Sequence, residues 1–102
     1  MPPDQQNEVV EALALLDPDV WAISSRPGIV AVVRRWTDDS TDSILLFSPE
    51  SAHARREDSA GRTVWKCVGA AVDVVQAMLA LAKPKDADAP STPLPDGTVF
   101  PL

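Results

Sequence analysis

The chain has no tyrosine, a single cysteine, a single histidine, a single asparagine and only four glycines in 102 residues. Each shortage removes a class of chemistry. With Cys67 alone, no intrachain disulfide can form, and a reducing compartment, the cytoplasm, is the expected location. One cysteine and one histidine cannot supply the nitrogen and sulfur ligands of a tetrahedral zinc site. His53 and Cys67 are the only Cys/His pair for a nucleophile and its base. His53 falls in the least regular stretch and Cys67 in mid-strand, where a small buried hydrophobe is the usual role. Gly28, Gly61, Gly69 and Gly97 are isolated, so no loop of clustered glycines can cradle a phosphate, and GxSxG is absent. No cofactor, metal or catalytic residue is therefore assigned, and the chain reads as a non-enzyme.

Long apolar runs are missing too. Nothing approaches the roughly 18 residues of a membrane span, and MPPDQQNEVV has no basic region ahead of an apolar one. Bases are few: nine Lys and Arg stand against 15 Asp and Glu, a formal charge of −6. Seven of those bases lie between Arg26 and Lys66, with Trp36 and Trp65 among them, and helix, three strands, helix is also the order of double-stranded-RNA-binding domains. However, six acids in the same segment offset the seven bases, and the last helix begins GAAVD with no base before Lys83. RNA or DNA binding is accordingly disfavoured.

What is present is a pattern for one small α+β domain over 1–83 and a proline-rich tail over 84–102. From Asp4 to Leu16, Val9, Ala12, Leu13 and Leu16 fall at helical spacing; Asp4 can cap this helix and Pro18 stops it. VWAIS (20–24) and IVAVVRRW (29–36) read as two strands of a hairpin. Its SRPG connection should be slightly longer than two residues, because a type II turn mismatches strand twist. SILLF (43–47) predicts a central third strand and TVWKCV (63–68) a fourth. AAVDVVQAMLALA (70–82) predicts a mostly buried helix with Asp73, Gln76, Ala80 and Lys83 toward solvent. Between the last two strands, SPESAHARREDSAGR (48–62) predicts a frayed helix or a loop, since Ala52 and Ala54 supply almost no helical stripe. The expectation is an antiparallel sheet of about four strands with both helices on one face.

Candidate binding residues come from two places. Arg34, Arg35 and Trp36 close the second strand with the composition enriched in interface anchors, whereas packing in the core is the simpler role for Trp21 and Trp65. Asp38, Asp39 and Asp42 read as acids of a solvated turn. The second place is the tail, PLPDGTVFPL. Pro95, Asp96 and Gly97 suit a type I turn, and after it Val99, Phe100 and Leu102 alternate as a short strand over 96–102. Burying those three side chains contributes about 1.5 to 3 kcal/mol each. Ordering about ten residues costs roughly 10 to 20 kcal/mol, so the segment needs the backbone bonds of a sheet edge. That edge could belong to this domain, a second copy or a larger assembly.

The functional expectation is a non-catalytic protein-binding module or accessory subunit, possible also as a homo-oligomer, with the tail as docking segment. A small acidic inhibitor or nucleic-acid decoy is the alternative, with its acidic first helix covering a basic channel. Fourteen alanines and twelve valines beside three lysines suggest a high-GC bacterium or its phage.

Overall fold

Alternation of apolar and polar residues through the middle of the chain dictates strands, and the computed structural model, which describes residues 10–94, is built around them. β1 (Ala22–Arg26), β2 (Ile29–Arg35), β3 (Thr41–Ser48), β4 (Ser51–Glu57) and β5 (Thr63–Gly69) form one antiparallel meander in the spatial order of the sequence. A helical turn, α1 (residues 10–14), precedes the sheet, and α2 (Ala71–Leu79) follows it. The proposed cap at Asp4, Val9 of the first helix and the tail residues 95–102 lie outside the described residues.

The pairing register assigns each side chain to a face. Val30 and Val32 of β2, Leu46 and Ile44 of β3, and Ala52 and Ala54 of β4 line up across the sheet. Against this face pack Ala12 and Leu16 from the α1 region, Trp21, and Ala71, Val74, Val75 and Met78 of α2. Both helices therefore share one face, as the apolar stripes require. β3 is the middle strand, buried at every second residue. Trp21 is 4% exposed, and Trp65 packs against the same core.

Three expectations are corrected. The stretch read as helix or loop contains a fifth strand, β4. Its inward residues are Ala52, Ala54 and Arg56, a period of two that a search for a helical stripe passes over; the alanines are small because α2 lies directly above them. Ser48 does not cap a helix but pairs with Ser51 across the Pro49–Glu50 turn, and the Pro49 carbonyl accepts the Ala71 N–H at the start of α2 (2.9 Å).

The SRPG connection is only two residues. Arg26 pairs with Ile29 across Pro27 and Gly28, and Gly28 takes a positive φ of 79° that suits glycine. β1 is an edge strand exposed along its length, so its twist can adjust to the turn.

Finally, Asp42 is no solvated turn residue. It lies inside β3 and is 1% exposed. Asp38 and Asp39 do belong to the turn: Asp38 Oδ1 accepts the Ser40 N–H (2.9 Å), and Asp39 adopts φ 68°.

No described helix is long and apolar enough to cross a membrane.

Candidate functional site

At one end of the helix-covered face the apolar rows give way to charge. Arg34 continues the phase of Val30 and Val32, Asp42 that of Leu46 and Ile44, and Arg56 that of Ala52 and Ala54. The register sets these three side by side, Arg34 against Asp42 and Asp42 against Arg56.

Burial forces Asp42 and Arg56 to satisfy each other. Arg56 donates from Nε to Asp42 Oδ1 (2.7 Å) and from Nη2 to Oδ2 (3.0 Å), a bidentate pair. A third donor, Nη1, reaches the backbone carbonyl of Ala82, just past α2. Asp42 Oδ2 also accepts the indole N–H of Trp36 (2.8 Å). One carboxylate thus fixes the ring of Trp36, and one guanidinium fixes the chain where it leaves α2.

These two anchors shape a cleft. Its floor is Trp36, with the Arg34 guanidinium carbon 3.6 Å from the ring centroid and that of Arg56 at 5.7 Å. Its far wall is the turn Lys83–Asp86, closed by the Asp86 N–H on the Lys83 carbonyl (2.9 Å). Thr37 and Asp38 complete the rim, and the open volume is about 350 Å³. A smaller recess of about 210 Å³ continues inward toward Trp21, Met78 and Leu81.

Arg34, Lys83 and Lys85 bring three positive charges to this cleft, and none of them forms an ion pair among the described residues. Two acids, Asp38 and Asp86, stand on its rim. The Asp38 carboxyl is held below its usual range chiefly by the Ser40 N–H, with a smaller contribution from the charge on Lys85, so it stays ionised. The cleft can therefore hold an anion that also brings hydrogen-bond donors. Among the described residues no group of three or more His, Cys, Asp or Glu is placed to hold a metal ion.

The structure separates the residues proposed together from sequence. Arg34 and Trp36 share the cleft, while Arg35, one residue out of phase, is exposed on the opposite face beside Thr41. Val99, Phe100 and Leu102 lie outside the described residues. His53 and Cys67, which are not proposed as a catalytic pair, lie on different faces: Cys67 pairs with Ala54 and touches the core, whereas His53 has its ring 5.0 Å from Phe47. Sequence reasoning missed Asp42, Arg56, Lys83 and Lys85. For the first two the signal was available, since each extends an apolar period-two phase into a charge.

Compared with protein-family models, with curated proteins and with solved structures, the chain matches none.

Proposed function

We propose that the protein is a non-catalytic protein-binding module that takes an acidic segment of its partner into the cleft between Arg34–Trp36 and Lys83–Lys85. The observation that carries this reading is three cations, none in an ion pair among the described residues, around a tryptophan whose ring is already fixed. A ring held in place by Asp42 and capped by Arg34 leaves little side-chain entropy to lose on binding, which is the condition for an interface anchor.

Charge selects the partner. The chain as a whole carries −6, and Asp38 and Asp86 stand beside the cations, so a continuous phosphate backbone meets repulsion at the cleft and beyond it. A peptide differs: its carboxylates face Arg34, Lys83 and Lys85 while its backbone N–H groups face Asp38 and Asp86.

The test is a titration of the 15N-labelled full chain with a glutamate-rich peptide, a lysine-rich peptide of equal length and an oligo-dT strand. The glutamate peptide should shift the Trp36 Nε1–H resonance, with weaker binding as salt is raised. Arg34→Ala should lower its affinity about tenfold, the equivalent of roughly one charge-assisted hydrogen bond. Perturbation by oligo-dT alone, or none by the acidic peptide, overturns the reading.

A further inference from the structure

The cationic cleft is one part of a larger hollow. Arg34, Trp36 and Lys83 line both the cleft and the recess of about 210 Å³ that continues from it, so the two spaces adjoin along a shared wall. Four apolar side chains, Trp21, Met78, Leu79 and Leu81, line the rest of the recess together with Asp42. Both oxygens of that carboxylate are engaged, Oδ1 by Arg56 and Oδ2 by Arg56 and the Trp36 indole. An apolar group seated in the recess therefore displaces no hydrogen bond between protein groups.

Packing explains why the recess stays open. Protein interiors leave few voids larger than a water molecule, whose share of liquid volume is about 30 Å³. The bulky neighbour best able to fill the space is Trp36, but its indole N–H is held by Asp42 Oδ2 (2.8 Å) and its ring lies under the Arg34 guanidinium (3.6 Å). Rotation of the ring into the recess would give up both contacts. On the other side, Arg56 holds the chain after α2 by the Ala82 carbonyl. Apolar surface is left facing water as a result: Leu79 is 45% exposed, although its neighbour Met78 is 3% exposed.

A cleft lined by cations that adjoins an apolar recess selects a ligand with both chemistries. We infer that the acidic segment bound in the cleft carries a large apolar side chain two residues from its carboxylate, and that this side chain fills the recess. The inference rests on the reading that the cleft takes an acidic segment, and adds what else that segment must contain. Asp38 and Asp86 on the rim require the segment to be extended, because a helix uses its backbone N–H groups internally and has none to offer them. In an extended segment neighbouring side chains point to opposite faces, while those two apart share a face at about 6.5 to 7 Å. Two adjoining hollows are filled together by side chains of one face, which sets the spacing.

Titration of the 15N-labelled full chain with capped heptapeptides containing Glu-Gly-Leu, Leu-Gly-Glu, Glu-Leu-Gly or Glu-Gly-Ser tests the inference. One of the first two, according to the direction in which the segment lies, should bind about tenfold or more tighter than Glu-Gly-Ser, the gain expected from burying one leucine side chain. Glu-Leu-Gly directs its leucine to the opposite face and should bind like Glu-Gly-Ser. Nuclear Overhauser contacts should join the methyls of the bound leucine to the Met78 methyl. Leu79→Gln, a change at a half-exposed position, should reduce the preference for leucine over serine to about threefold or less. If Glu-Gly-Ser shifts the Trp36 Nε1–H resonance and leucine at either spaced position adds nothing, the inference falls while the acidic-segment reading stands. A gain for Glu-Leu-Gly as large as for the spaced peptides, a preference that survives Leu79→Gln, or no contact with Met78 would each overturn it as well. Failure of every peptide to bind would overturn both.

Discussion

Arg56 and Asp42 lie on adjacent strands as direct cross-strand neighbours, joined by two hydrogen bonds of 2.7 and 3.0 Å, and both are 1% exposed. The pair connects two parts of the molecule distant in sequence: the indole of Trp36 at the end of β2 and the carbonyl of Ala82 after α2. Since Ala82 precedes the Lys83–Asp86 wall, one buried ion pair sets both sides of the cleft.

Breaking that pair on one side should be costly. Asp42→Asn leaves the Arg56 charge buried without its counter-ion and should destabilise the fold by about 3 to 5 kcal/mol. Replacing both groups, as in Asp42→Leu with Arg56→Met, removes the desolvated charges together and should recover much of the loss. Urea unfolding of the two variants and the parent measures this. A single variant within about 1 kcal/mol of the parent would show that the pair is not holding the sheet end together.

The alanines of β4 make a separate prediction. Ala52 and Ala54 are both fully buried between the sheet and α2, and α2 contacts β4 more than any other strand. Ala54→Leu adds volume where the helix cannot withdraw without opening the core around Val74, Val75 and Met78. The expected cost is about 1 to 3 kcal/mol, read from the denaturation midpoint. Val33→Leu on the exposed face, where Val33 is 39% exposed, should change stability by less than about 0.5 kcal/mol.

Those same alanines explain what the sequence concealed. β2, β3 and β5 announce themselves through valine, isoleucine, leucine and tryptophan at strand spacing, and α2 through an apolar run broken only at Asp73 and Gln76. β4 has alanine where the others have large apolar residues, because the helix takes the space, and then an arginine at an inward position. A buried arginine reads as surface until its partner is known, and that partner, Asp42, stands on another strand within a run of acids that suggests a turn. Half the cleft was legible for a related reason: Arg34 and Trp36 are local to one strand end. Lys83 and Lys85 join them through the chain after α2, which Leu81 packs against the core and Arg56 holds by the Ala82 carbonyl, a contact between residues 26 apart that no local pattern encodes.

The loop between β4 and β5 should make stability depend on acid pH. Asp58 Oδ1 accepts the backbone N–H groups of Arg62 (2.9 Å) and Ala60 (3.0 Å), and its Oδ2 accepts from Arg62 Nε (2.9 Å). The Arg62 N–H is the largest cause, followed after the opposing effect of burial by the Ala60 N–H and the Arg62 charge, and together they hold the Asp58 carboxyl below its ordinary value. A carboxyl with a lower pKa in the folded chain binds fewer protons there than in the unfolded chain. Its stabilising contribution is therefore complete above the unfolded value, about 3.9, and is lost as pH falls through the folded one. Asp38, held down mainly by the Ser40 N–H, acts in the same direction and the same window. Asp58→Asn keeps an acceptor oxygen for the loop but cannot titrate, so the variant should lose stability less steeply than the parent below about pH 4. Unfolding midpoints in urea, taken at intervals from neutral pH into that range, measure the two slopes. Parallel slopes would place the acid sensitivity elsewhere in the chain.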